Sequence, residues 1–534
     1  MVEAEYDVII VGSGSSGGAL AGRLSADPDC RVLVLEAGPV YRTPEEMPAE
    51  LLIPVSAASA APGNPHNWAL PAEMRPGLSF PYPRGKCVGG SSSLNGCYFI
   101  RGTRDDFDSW AALGNDLWSY EQVLPFFRRS ENDLDFHDEY HGADGPIPVR
   151  REASDRSPVF TPAFTEACRG LGFADAPDKN APANDGVGPV PFNIGDGQRV
   201  GTALGYLLPA MARPNFRIIG GAVAQRILFD GTRAVGVEAL VDGTAQVFRA
   251  PEIVISAGAL KTPQLLMLSG IGPAAHLREH QLPVLADVGA VGQNLMDHAV
   301  VHVPWDSNLD LPHLTDRGAM TTVLNWQGTH SQLEIMPFLL TSGELLGAWD
   351  VLKRPIKAIE AMRGTSPRAV WRQMRGLRHA TVIMSLMHGQ SRGSVTLRSD
   401  DPNAHPVLRW NLCSVDADKE SFREATRVLW ELYNSPAMKP INPSLVGFSK
   451  KLVADDRAID EYVWNHLASG HPAGTCRMGP DSDDDAVVDQ ELRVRGVEGL
   501  RVADTSVFPA MPSRGPNATA MMVGERLADL LGAR

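Results

Sequence analysis

Cysteine is scarce in this 534-residue chain: there are six, none in a C-x-x-C pair. A disulfide framework and a thiolate metal ribbon are excluded, and reduced thiols in a cytosol fit best. No stretch approaches the ~20 apolar residues of a membrane span. Nor does the start carry a signal-peptide pattern, since the first basic residue is Arg23 and the run Val8 to Val11 is too short for an apolar core. A soluble, cytoplasmic protein with no integral membrane segment is expected. Lysine is also rare, nine against forty arginines, and the net charge of −14 repels nucleic acid and anionic lipid. Internal repeats, low-complexity tracts and any metal-ligand spacing of histidine, cysteine and carboxylate are missing, so no metal is expected. With 43% apolar and 21% charged residues, disorder, collagen and coiled coil are ruled out.

What is present begins with Asp7-Val8-Ile9-Ile10-Val11, a β-branched run suited to a strand buried on both faces of a parallel sheet. Gly12-Ser13-Gly14-Ser15-Ser16-Gly17 follows at once, then Ala19, Leu20, Ala21 and Leu24 at helical spacing up to Asp27-Pro28. Arg31 to Glu36 reads as a second strand ending in an acid. A glycine string in this strand–turn–helix–strand context is a dinucleotide fingerprint. Gly12 permits the tight turn, Gly14 admits a pyrophosphate to the backbone, and Gly17 lets helix and strand pack. Ser13 and Ser15 lie between them, at a helix amino terminus with free N–H groups. Glu36 can accept both ribose hydroxyls. An ADP-containing cofactor is indicated, with NAD and FAD not separated at this point.

Residues 39–85 and 156–199 show no sustained period. The first of these reads as an excursion over the cofactor. Strands are expected at Phe216–Ile219, Arg226–Phe229, Ala234–Ala239 and Glu252–Ser256. The stretch 301–461 mixes strand-like pieces (Ala380–Met384, Gly393–Leu397) with a helix at Ala417–Tyr433. The expected fold is α/β with an α+β substrate part: a Rossmann-like dinucleotide-binding domain from 1–155, 200–300 and 462–534. A sheet-and-helix substrate domain, 156–199 and 301–461, is inserted into it.

Three further segments carry a family resemblance. Gly85-Lys86-Cys87-Val88-Gly89-Gly90-Ser91-Ser92-Ser93-Leu94-Asn95-Gly96 resembles the first signature of the glucose–methanol–choline (GMC) oxidoreductases. The run from Gly258 to Gly272 resembles their second. His471-Pro472-Ala473-Gly474-Thr475-Cys476-Arg477-Met478-Gly479, with Leu500 to Asp504 and Pro516-Asn517, resembles their catalytic end. The resemblance implies bound FAD and oxidation of an alcohol to a carbonyl. It places Ser91, Asn95 and Gly96 against FAD, Asp504 on the ribityl chain, and Val223 at the adenine. Val223 is equally compatible with a plain core strand residue, and Asp504 with a turn-forming aspartate. Trp68 covers the cofactor or is a core tryptophan. Leu94 stands where some relatives carry the histidine that attaches flavin covalently, so non-covalent FAD is expected.

Oxidising an alcohol requires loss of a hydroxyl proton and of a hydride from carbon. Imidazole suits the proton, because its ordinary pKa lies near neutrality. By resemblance, His471 is the base and Asn517 orients the substrate oxygen. Asparagine is also a favoured helix N-cap, ahead of the helical run Ala518 to Leu531. Electrons would pass to O₂ or to a quinone or other carrier. A hydroxynitrile lyase of the same family, and a non-catalytic flavin-binding protein, are the alternatives. Asp297-His298, near the domain junction, reads as structural. Trp305, Trp326, Trp349, Trp371, Trp410 and Trp430 form no choline-cage pattern.

Overall fold

The structure, a computed structural model, describes residues 6–152, 159–307, 317–341 and 378–532. Its first layer is a five-stranded parallel sheet in the order Phe216–Ile219, Val32–Leu35, Val8–Val11, Glu252–Ile255, Leu500–Val502. Every residue of Val8–Val11 and Val32–Leu35 is buried, as both faces of a parallel sheet require. Each such side chain contributes about 1.5–3 kcal/mol by leaving water. Helix Ser15–Leu24 packs on the C-terminal helix Asn517–Leu530, and the Ser16 hydroxyl donates to the Ala520 carbonyl at 2.6 Å.

The second layer is an antiparallel sheet. Its order is Ser444–Leu445, Ala299–Asp306, Ala380–Leu386, Gln332–Thr341, Thr322–Gln327, Gly186–Pro189, and Leu467–Ser469 also pairs with Ala299–Asp306. Helix Asp416–Tyr433 backs it with Phe422, Ala425, Leu429, Leu432 and Tyr433, buried at three- and four-residue spacing. Trp305, Trp326 and Trp410 are buried in the same core, with Trp430 half-buried beside them. Trp349 and Trp371 lie outside the described residues.

Local structure departs from the sequence reading in three places. The stretch 156–199 holds a helix, Phe160–Gly170, whose buried Phe160, Phe164, Ala167 and Cys168 do follow a helical period. Pro162 masks it, yet sits in the first turn where its missing N–H is harmless. Within 39–85, Leu70–Arg75 and Leu78–Tyr82 form a hairpin that turns at Pro76-Gly77, with Gly77 at φ 81°. That hairpin joins Val407–Arg409 and Ser394–Thr396 in one four-stranded sheet. Leu467–Ser469 belongs to the antiparallel sheet, so the chain leaves that layer at Gly470 rather than at 462.

Candidate active site

A cavity of about 470 Å³ opens at the carboxyl ends of the parallel strands, lined there by Val11, Glu36, Ser256 and Asp504. Its floor is the glycine turn. Gly12 has φ 100°, and a Cβ there would fall 2.4 Å from the Ser256 carbonyl oxygen. Gly17 does not line the cavity. It seats the helix, since a Cβ on it would lie 2.2 Å from the Gly12 oxygen. Gly14 caps helix Ser15–Leu24 without any side-chain bond, and the first turn holds no acid. The free N–H groups and the positive dipole end are therefore left for an anion.

Glu36, Ser13, Gly14, Ser15, Trp68, Ser91, Asn95, Gly96, Val223, Asp504, His471 and Asn517 all line this one cavity. Glu36 is buried at the end of Val32–Leu35. Its carboxylate accepts from Ser13 N and Oγ, at 3.1 and 2.6 Å, and from Gly38 N at 2.9 Å. Burial raises its pKa, against the pull of those bonds. The loop Gly90–Ser93 touches the glycine turn: a Cβ on Gly90 would sit 2.8 Å from Gly14 Cα. The Ser91 hydroxyl accepts from Gly85 N at 3.1 Å, Asn95 Oδ1 from Cys97 N at 3.1 Å, and Gly96 faces open space. Val223 lines the cavity from strand Ala222–Asp230. Trp68 is half-buried with the ammonium groups of Lys86 and Lys261 4.7 and 4.8 Å from its ring centre. Burial, then repulsion from Lys86, lowers the Lys261 pKa to about 8.

Asp504 is both a turn former and a clamp. Oδ1 accepts from Ser506 N, while Oδ2 accepts from Gly258 N at 2.9 Å and Thr262 Oγ1 at 2.6 Å. This ties the second signature segment to the carboxyl end of the last parallel strand, where doubly wound sheets hold ligands. Asn517 is not the N-cap. Pro516 takes that position, and Asn517 begins the helix with Oδ1 accepting from the Ser15 hydroxyl at 2.9 Å. Its Nδ2 is buried and has no protein partner. An unpaired buried amide N–H₂ carries a desolvation penalty of about 1–3 kcal/mol unless a ligand accepts from it.

His471 also lines the cavity, and its backbone N–H donates to Asp297 Oδ1 at 2.7 Å. Burial, then the neighbouring Arg84 charge, pushes its pKa down to about 3, so the ring is neutral at physiological pH. The Asp297-His298 pair, read from sequence as structural, lies directly against it. Asp297 accepts from Gly470 N, His471 N, Tyr82 Oη and Trp410 Nε1. His298 Nδ1 lies 2.8 Å from His471 Nδ1. Sequence reasoning missed this role because the partners are 173 residues apart; the adjacency of an acid and a histidine was the only available signal.

A dinucleotide suits this lining: an uncapped helix terminus for phosphates, an acid at the second strand's end for ribose, and an unpaired amide N–H₂ next to that terminus. Outside the cavity, Glu131, Asp133 and His141 cluster within metal-ligand distance. Arg101, Arg151 and Asp178 complete that cluster as an ion-pair network, with His141 pushed up to about 10 by its carboxylate bonds despite burial.

The family description GMC oxidoreductase matches residues 6–300 with its amino-terminal part and 389–524 with its carboxy-terminal part. A GMC-type oxidoreductase of Rhodococcus erythropolis is 38% identical over 533 residues, covering 99% of each chain. An oxygen-dependent choline dehydrogenase of Brucella canis is 37% identical, covering 98% of this chain and 95% of its own. Among solved structures, pyridoxine 4-oxidase from Mesorbium loti superposes with a TM-score of 0.84 at 27% identity, over 98% of this chain and 99% of the other.

Proposed function

The chain belongs to the GMC oxidoreductases, and on that premise we propose that it oxidises an alcohol to an aldehyde or ketone with non-covalently held FAD, His471 serving as the base. FAD, when bound, supplies the acceptor for the hydride that leaves the alcohol carbon. The protein's own residues handle the rest. Asn517, a residue of the cavity lining whose Nδ2 has no protein acceptor, donates to the substrate oxygen and steadies it as it gains charge. The Ser15 hydroxyl holds the amide in that orientation. His471, neutral and with its backbone fixed by Asp297, takes the hydroxyl proton. Gly14 to Ser16, Glu36 and Asp504 would hold the cofactor's phosphates, ribose and ribityl chain.

The unpaired Asn517 amide and His471, both on the lining of one cavity, are the observation that carries this reading. Choline and pyridoxine, named in the relatives' activities, are both alcohols. A primary alcohol, aliphatic or aromatic, is the substrate class proposed, in keeping with the apolar surface that Trp68, Leu94 and Tyr98 give the cavity. The electron acceptor is O₂ or a quinone or other carrier; open space at Gly96 is compatible with O₂. Leu94, where some relatives attach flavin through histidine, supports non-covalent binding.

The test is an anaerobic screen of alcohol classes on the purified yellow protein. Bleaching of the flavin band by an alcohol is expected, followed by comparison of O₂ with a quinone as reoxidant. A band unchanged by every alcohol, with cyanide released from a cyanohydrin, would replace the redox reading with the lyase one.

A further inference from the structure

The contact between the two histidines holds more information than a packing contact. His298 Nε2 lies 2.8 Å from the carbonyl oxygen of Pro512. A carbonyl accepts and never donates, so the proton of a neutral His298 ring resides on Nε2. Its Nδ1 is then a bare lone pair, and it faces His471 Nδ1 at 2.8 Å. Two bare nitrogens at that distance would repel, so the proton between them belongs to His471 Nδ1. One proton remains the limit for a neutral imidazole, which leaves His471 Nε2 bare. The rings stand at 88° with centres 5.0 Å apart, which lets the N–H of one ring meet the in-plane lone pair of the other.

From this chain of obligate donors and acceptors we infer that His298 is a positioning residue that fixes the tautomer of His471: it anchors the proton on Nδ1 and keeps Nε2 free to act as the base. Asp297 and His298 thereby act as one two-handed clamp. The carboxylate holds the backbone N–H of His471, and the adjacent imidazole holds its ring. Without His298, the His471 proton can migrate to Nε2, and the ring then meets a substrate hydroxyl with an N–H instead of a lone pair. Protonation of His298 has the same effect by a different route. A His298 imidazolium donates from both nitrogens, so His471 Nδ1 must accept and its proton must sit on Nε2. Complete burial of His298 opposes that state, as does the lack of an acid in hydrogen-bonding contact with its ring. The charged and titratable groups facing the pair are Arg84 and Asp297 on the His471 side, and His388 and Asp106 on the His298 side.

This inference rests on the proposed role of His471 as base, and its test separates the two. In the holoenzyme labelled with ¹⁵N-histidine, His471 is expected as the Nδ1–H tautomer and His298 as Nε2–H, assigned by comparison with His471→Gln and His298→Asn. That readout needs no turnover. In stopped flow, His298→Ala is expected to lower the limiting rate of flavin reduction by about 10²-fold, within the span of general base catalysis, with substrate binding and FAD content near the wild-type values. Its acid limb is expected to move to higher pH. His298→Asn, whose Oδ1 can stand in for the imidazole Nδ1 as acceptor, is expected to recover most of the rate. An Nε2–H tautomer at His471 in the wild-type holoenzyme overturns the inference, whether or not His298→Ala folds. So does a His298→Ala enzyme with unchanged rate and pH profile while His471→Ala is inactive. If His471→Ala retains full turnover, the proposed function itself falls.

Discussion

The two ends of the cavity are built on opposite plans. At the glycine turn, most of the parts that would hold a cofactor belong to one strand–turn–helix–strand unit, and the fit is one of backbone against backbone: Gly17 against Gly12, and the later Gly90 against Gly14. At the catalytic end, His471, Asn517, Asp297 and His298 come from separate segments, and their fit is one of side-chain donors against acceptors. The first plan tolerates no added atom at Gly12, Gly17 or Gly90, whereas the second tolerates shape changes but not a lost or misplaced proton. Binding of the cofactor and chemistry on the substrate should therefore fail independently.

The largest effect should come from Gly17→Val. Its new Cβ meets a backbone oxygen that cannot move aside, so the protein is expected to purify without yellow colour, as measured by absorbance and FAD content. Full FAD occupancy in that variant would break the comparison at its cofactor end. Next, His471→Ala should keep its FAD while the limiting rate of flavin reduction falls about 10³-fold. If FAD is lost along with the rate, the two ends are coupled and the distinction fails. Asn517→Ala should lower the same rate about 10²-fold, the scale of one lost donor at a developing oxyanion. Ser15→Ala is the smallest and the most discriminating, because that hydroxyl belongs to the glycine turn and bonds Asn517 directly, at 2.9 Å. Loss of one hydrogen bond of about 1 kcal/mol predicts roughly a fivefold slower reduction at unchanged FAD content.

The same contrast governs what could be read from sequence. The glycine turn, its flanking strands and Glu36 were legible because residues close in sequence are there close in space. Strand Phe216–Ile219, helix Asp416–Tyr433 and the C-terminal helix were legible from their periods. Helix Phe160–Gly170 was not, because Pro162 interrupts an otherwise regular pattern, and the hairpin Leu70–Tyr82 hid in a stretch dominated by proline and alanine. His471 and Asn517 were found through family resemblance rather than through any local signal. The role of Asp297-His298 escaped even that, because a hydrogen bond spanning 173 residues leaves no period, no spacing and no composition change. The ion-pair network of Glu131, Asp133, His141, Arg101 and Arg151 is far more local, within 101–151, but its residues follow no period or motif that marks them as partners.

The order of the parallel sheet has a consequence for how the protein is made. Its first two strands are complete by Leu35, yet the fifth, Leu500–Val502, and the helix that covers the glycine turn, Asn517–Leu530, come far later in the chain. Until then Ile253 to Ile255 present an unpaired edge, and Ser16 lacks the Ala520 carbonyl it bonds in the finished protein. A chain cut before residue 500 lacks Asp504 and Asn517 of the cavity lining, and such truncations are expected to accumulate as colourless, aggregation-prone species.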